Sequence, residues 1–166
     1  MLPMVYGQRE CNGASGVPMD MRLIDDFFRD PSLVRRYKAA LLTGFLFPDE
    51  SRRRLMGEFA AAGVKTMVQP AQGISSVGLN DFARSAGAFV AAEPGVMEVD
   101  MSGDFLSVHA LIPGTHRVRL PFKARVVNVK SGEDEETSGG ELVLTMSAGE
   151  TCWFRIYRAV TQGAPA

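Results

Sequence analysis

The sequence predicts an α+β fold in which N-terminal helices pack on a small antiparallel β-barrel or strongly twisted sheet. Three observations predict it. Between residues 20 and 63 apolar side chains recur at helical spacing. Beyond Gly63 they fall into short runs separated by Gly- and Pro-bearing turns, which reads as strands. One run, Val118 to Val129, is broken by Pro121, which removes a ladder hydrogen bond and suits an edge strand, a bulge or a barrel corner. A chain of 166 residues forms one domain with at most a small appendage.

The elements follow in order. Residues 1–19 read as a flexible arm, because Met1 to Gly16 is rich in glycine and short polar residues. Residues 20–63 form the helical segment. Leu23, Ile24, Phe27 and Phe28 mark a first helix, with Asp25 and Asp26 near its positive end. Asp30 and Pro31 start a second, since an aspartate caps and a proline fits the first helical position. Its stripe is Leu33, Val34, Tyr37, Ala40, Leu41 and Leu42, ending near Gly44. Pro48 with Asp49 or Ser51 opens a third helix through Leu55, Met56, Phe59 and Ala60, and Gly63 supplies a left-handed stop.

Residues 64–160 form the β-rich domain, and residues 161–166 a flexible tail. Strand candidates are Val64–Val68, Ala88–Ala92, Val96–Met101, Phe105–Leu111, Val118–Val129, Glu141–Met146 and Trp153–Val160. A further apolar piece spans Ile74–Leu79, and Asn80–Ala86 suits a short helical turn. Pro-Gly and Ser-Gly-Asp separators suit tight turns. Gly132 to Gly140 holds four adjacent carboxylates, Glu133 to Glu136, and reads as a solvated hairpin loop. Adjacent acids do not match the alternating ligands of a calcium loop.

Composition narrows the function. The formal net charge is −1, so no global field attracts nucleic acid or anionic lipid. No run of about 18 apolar residues exists to span a membrane, and the N-terminus lacks a basic stretch followed by an apolar one. With only Cys11 and Cys152, reduced thiols and a cytoplasmic location are expected. The histidines, His109 and His116, have Asp100, Ser102 and Asp104 nearby in sequence but no G-x-S-x-G elbow. Two cysteines and two histidines show no paired zinc spacing, and no phosphate-binding glycine motif occurs. Arg52, Arg53 and Arg54 fan over about 200° of a helix instead of forming one stripe. No catalytic, cofactor or metal residue is therefore expected, and the protein reads as non-enzymatic.

Aromatic side chains give the remaining signal. On the last strand candidate Phe154 and Ile156 share one face, with Trp153, Arg155 and Tyr157 on the other. That second set either packs on the helices or forms an interface, where rings and arginines are enriched. The candidate partner-binding residues are Phe105, Val118, Leu120, Phe122, Trp153 and Tyr157.

Two families share parts of this pattern. Pro113-Gly114-Thr115 followed by Val118-Arg119-Leu120-Pro121-Phe122-Lys123-Ala124 resembles the bacterial stringent starvation protein B family, substrate adaptors of the ClpXP protease. The resemblance spans Arg52 to Lys130 and implies a small Sm-like barrel that holds an extended peptide through main-chain bonds and pockets. The family's basic-apolar docking tail has no match in residues 161–166. The chain is also similar to PilZ-type cyclic-di-GMP receptors at Asp100-Met101-Ser102, Pro113-Gly114, Val118 and Ala124 to Val129. Phe105 stands where that family has glycine, and the upstream R-x-x-x-R that clasps its ligand is missing.

The expected function is a non-enzymatic protein- or peptide-binding module, with a proteolysis adaptor as its specific form. Its partner is another protein or an extended peptide, with homo-oligomerisation left open and no membrane or nucleic-acid partner expected. Two alternatives stand beside it: a structural subunit of a phage or multiprotein assembly, and a degenerate PilZ-type cyclic-di-GMP receptor.

Overall fold

A computed structural model describes residues 2–158 apart from residue 136, and the side chains of residues 2–7 and 138 fall outside the description. The predicted tail, residues 161–166, lies beyond it. Helix α1 (Leu2–Gly13) occupies most of the stretch expected as a flexible arm. Propensity alone did not indicate it, but Gln8 fastens it. The Ile74 amide donates to Gln8 Oε1 (2.8 Å), and Gln8 Nε2 donates to the Ile74 carbonyl (3.2 Å). Tertiary docking thus overrides a weak local pattern.

Helix α2 (Ile24–Arg29) and a 3-10 helix (Pro31–Arg36) follow, the latter started by Asp30, whose side chain accepts from the Ser32 amide. The expected second helix stops there. Its C-terminal half is instead a strand, β1 (Ala39–Leu42), which pairs in parallel with β2 (Lys65–Val68) across helix α3 (Glu50–Ala61). A short apolar run such as Ala39-Ala40-Leu41-Leu42 fits either state by pattern, and the β2 partner decides it. Asp49 caps α3 by accepting from the Arg52 amide at 2.8 Å. Helix α4 (Ser76–Ser85) absorbs both the Ile74–Leu79 piece and the expected short turn, with Ser75 as its cap. Helices α2 and α3, the 3-10 helix and β1 contribute to a core of Phe27, Leu33, Val34, Leu42, Phe45, Leu55, Phe59 and Val64. Strand β2 therefore belongs with the helical part, which moves the expected boundary at residue 64.

The remainder is antiparallel, as expected, but it does not close into a barrel. Strands β3 (Met97–Ser102), β4 (Phe105–Ala110), β6 (Ala124–Asn128), β7 (Asp134–Glu135) and β10 (Thr151–Arg158) make one sheet, in the order β3-β4-β10-β6-β7. Strands β5 (Gly114–Arg119), β8 (Thr137–Ser138) and β9 (Glu141–Met146) make a second, ordered β5-β9-β8. Residues of both sheets share one core that includes Met97, Leu106, Val108, Val118, Leu142 and Phe154. This is face-to-face packing of two sheets. Pro121 separates β5 from β6, so the single expected strand Val118–Val129 is divided between the two sheets. Ala88–Ala92 forms no strand and joins no ladder, and the chain bends at Ala92. The acidic segment also differs from a plain loop: β7 pairs with β6 and β8 with β9, so it carries the chain from one sheet to the other.

The two parts meet at a polar joint. Asn80, 2% exposed, donates through Nδ2 to the carbonyls of Ser15 (2.7 Å) and Ala92 (3.2 Å), while its Oδ1 accepts from Arg84 Nε (2.7 Å). The amides of Ala91 and Ala92 both donate to the Gly16 carbonyl. Gly16 has φ +68°, and a Cβ there would lie 2.3 Å from the Ala92 oxygen, so only glycine fits.

Candidate functional site

Period two along β10 sorts the predicted site residues. Phe154 and Ile156 point into the sandwich, while Trp153 (56% exposed) and Tyr157 (43%) point out. Phe105 stands opposite Arg155 and shares the outer face, with the Arg155 guanidinium 4.9 Å from its ring centre. Arg125 lies 5.7 Å from the Tyr157 ring and holds Asp134 at 2.7 and 3.0 Å. The hydrogen bonds and charge of Arg125 keep the Asp134 carboxyl below its usual range. Three of the six predicted residues therefore gather on one exposed sheet face.

The other three do not join them. Val118 is wholly buried and Leu120 nearly so, both in the sandwich core, and Phe122 packs partly against that core beneath Arg158. The alternation of Val118 and Leu120 with arginines marked a buried face, and that face is turned inward. The edge next to Leu120 is also covered: the Arg119 amide donates to the Ala91 carbonyl and the Leu120 amide to the Gly140 carbonyl, each at 2.7 Å. No strand can add there.

An open edge exists elsewhere. The Lys65 amide donates to the Lys38 carbonyl and the Gln69 amide to the Leu42 carbonyl, each at 3.0 Å. This register directs the backbone groups of Ala40 and Leu42 to β2 and those of Ala39, Leu41 and Thr43 away from it. The outward groups of these three residues have no hydrogen-bond partner among the described residues. Ala39, Leu41 and Thr43 line a cleft of about 570 Å³, within the ~300–1,000 Å³ usual for ligand sites. Phe27, Leu55 and Phe59 line it on the side of the helical core. Leu79, Phe82 and Ala83 of α4, which lie outside that core, line it as well.

One end of the cleft is polar. The Tyr37 hydroxyl donates to Asp20 Oδ2 at 2.7 Å, and Arg22 Nε donates to the same oxygen at 2.8 Å. Burial pushes the Asp20 carboxyl up, but the bonds from Tyr37 and Arg22 outweigh it and leave the group below its ordinary range. Burial and the Asp20 charge raise the Tyr37 phenol. Arg36 and Lys38 line the same end, exposed and without an ion pair to any described residue. At the other end Thr43 Oγ1 donates to the buried Gln69 Oε1 at 2.8 Å.

The cleft is not legible in the sequence because Leu41 also fits a helical stripe, and only its pairing with β2 makes it a strand residue. A usable signal was present: four apolar residues, a helix of one dozen and then the β-prone Lys65-Thr66-Met67-Val68 have the spacing of a parallel strand pair.

The histidines have ordinary partners. His109 Nδ1 lies 2.7 Å from Thr151 Oγ1, and the buried His116 has Nε2 2.9 Å from the Ile112 carbonyl. Cys11 and Cys152 are free thiols, and burial raises the latter. Among the described residues no group of three His, Cys, Asp or Glu side chains is placed to hold a metal, and no helix is long and apolar enough to cross a membrane.

No family model and no curated protein matches the chain. Among solved structures it is similar to AmyP in complex with maltose, with TM-score 0.35 and 12% identity over 70% of this chain and 23% of that one. It is also similar to a rhamnosidase from Novosphingobium sp. PP1Y, with TM-score 0.32 and 10% identity over 82% of this chain and 16% of that one. The chain thus spans less than a quarter of the length of either protein.

Proposed function

We propose that the protein is a non-enzymatic binding module that takes an extended segment of another protein as an added strand on β1. One observation carries this reading: the outward backbone groups of Ala39, Leu41 and Thr43 are unpaired among the described residues, and these three residues line an apolar cleft. Unpaired amides and carbonyls at a sheet edge are a template for another chain, and side-chain pockets beside them supply selectivity. An adaptor uses this chemistry to hold a segment of one protein for action by another. The covered edge at Leu120 moves the binding position away from the barrel corner that the adaptor resemblance implies.

Amide chemical shifts of the labelled protein, followed during titration with blocked apolar decapeptides, test this directly. Shifts centred on Ala39 to Thr43 support it. Shifts confined to the Trp153 face overturn the position, and an unchanged spectrum overturns the function. A spectrum that moves with cyclic-di-GMP instead favours the nucleotide-receptor alternative.

A further inference from the structure

Resting on the strand-addition reading, the geometry points to a specific occupant. We infer that the β1 cleft accepts a parallel strand of another protein with an uninterrupted run of four or five apolar residues, preceded by acidic ones. The length follows from β1 itself: four residues at about 3.3 Å each leave no room for a longer ladder.

The apolar character follows from the walls. Ala40 and Leu42 face the Leu55–Phe59 side, so Ala39 and Leu41 face the opposite one. Apolar side chains line the cleft from both the core side and α4. A strand lying there buries both its faces, and such strands read as continuous Val, Ile and Leu instead of alternating. An alternating peptide would place its polar side chains against these apolar walls, without a hydrogen-bond partner.

Direction follows from the parallel pair and from charge. A sheet covered on both faces is the setting in which parallel strands occur. Arg36 and Lys38 stand at the start of β1, next to the Asp20–Arg22 pair, which neutralises itself. Among the described residues neither cation forms an ion pair, although the Arg36 charge reaches Asp20 and Asp30. In a parallel arrangement the start of the incoming strand lies beside Arg36 and Lys38, so acids before the apolar run are the complementary flank. Acids after the run would be complementary only to an antiparallel strand.

Three blocked peptides decide the matter by calorimetric titration of the full chain. The first has two acids before a Val-Ile-Val-Leu run, the second has them after it, and the third keeps the acids first but alternates valine with threonine. The first should bind at least tenfold more tightly than either of the others, and Lys38→Glu should abolish its advantage over the second. Leu41→Pro should weaken it at least tenfold, because proline removes an outward amide without touching the β2 ladder. In the unmodified protein, hydrogen exchange at the Leu41 and Thr43 amides should slow when the first peptide binds. Tighter binding of the second peptide overturns the parallel direction, and equal binding of the third overturns the continuous apolar run. Either result leaves strand addition standing, whereas no binding of any peptide removes that reading as well. If the chain dimerises and Leu41→Pro makes it monomeric, a second copy is the occupant and the proposal fails.

Discussion

Asn80 donates a 2.7 Å hydrogen bond to the Ser15 carbonyl from a position that is 2% exposed, and so ties helix α4 to the segment after α1. The same amide group reaches Ala92, and Arg84 occupies its oxygen. Replacing it by alanine strands two carbonyls in the joint. Asn80→Ala should cost about 1–3 kcal/mol in urea unfolding, with an unchanged m-value. A loss below about 0.5 kcal/mol would mean that water replaces the amide at this site.

Gly16 and Gly44 separate backbone strain from collision. Both have positive φ, but a Cβ at Gly44 meets nothing within 4 Å, whereas one at Gly16 meets the Ala92 carbonyl. Gly44→Ala should cost about 1–2 kcal/mol for the left-handed conformation alone. Gly16→Ala should cost a further ~1–3 kcal/mol for the overpacked contact. Equal melting temperatures for the two variants would contradict the tight joint.

Neighbours on β10 should behave oppositely. Phe154 is fully buried, and Phe154→Ala should cost about 3–5 kcal/mol. Trp153 points outward, and Trp153→Ala should change stability by less than about 0.5 kcal/mol. Denaturant titration of both variants checks the orientation of the strand.

The mouth of the cleft should respond to acid. The Asp20 carboxyl titrates below its unfolded value of about 3.9. A depressed carboxyl stabilises the fold above that value and loses its contribution as pH falls through the folded midpoint. Carbon-detected titration should place the midpoint of Asp20 below 3.9 in the folded protein, with about 3.9 as the peptide reference. Tyr37→Phe should raise it, because the phenolic donor is lost. An unmoved midpoint in that variant would show that Arg22 and Arg36 hold the group without the phenol.

Much of the architecture was legible in the sequence. Asp49 and Gly63 bracketed α3, and Glu141–Met146 was recovered residue for residue, because caps, turn glycines and period two act locally. Long-range choices were not legible. Leu41 became a strand residue because β2 lies beside it, and α1 became a docked helix because Gln8 reaches Ile74. Val118 and Leu120 alternate with arginines, which marks their face as the inward one and so removes them from any partner surface. Trp153 and Tyr157 were legible as a shared face by period two, whereas Phe105 joins them only through the pairing of β4 with β10.

The edges of the sandwich and the edge of β1 carry different chemistry. Where the acidic segment crosses between sheets, it ends each with a strand of two residues, and Asp134 and Glu135 lie on one of them. The other margins bear Glu98 and Asp100 on β3 and Arg117 and Arg119 on β5. Short, charged margins discourage uncontrolled stacking of chains. Ala39-Ala40-Leu41-Leu42 has no such guard. Leu41→Lys would place a charge in the middle of that edge, the gatekeeper that the other margins already carry.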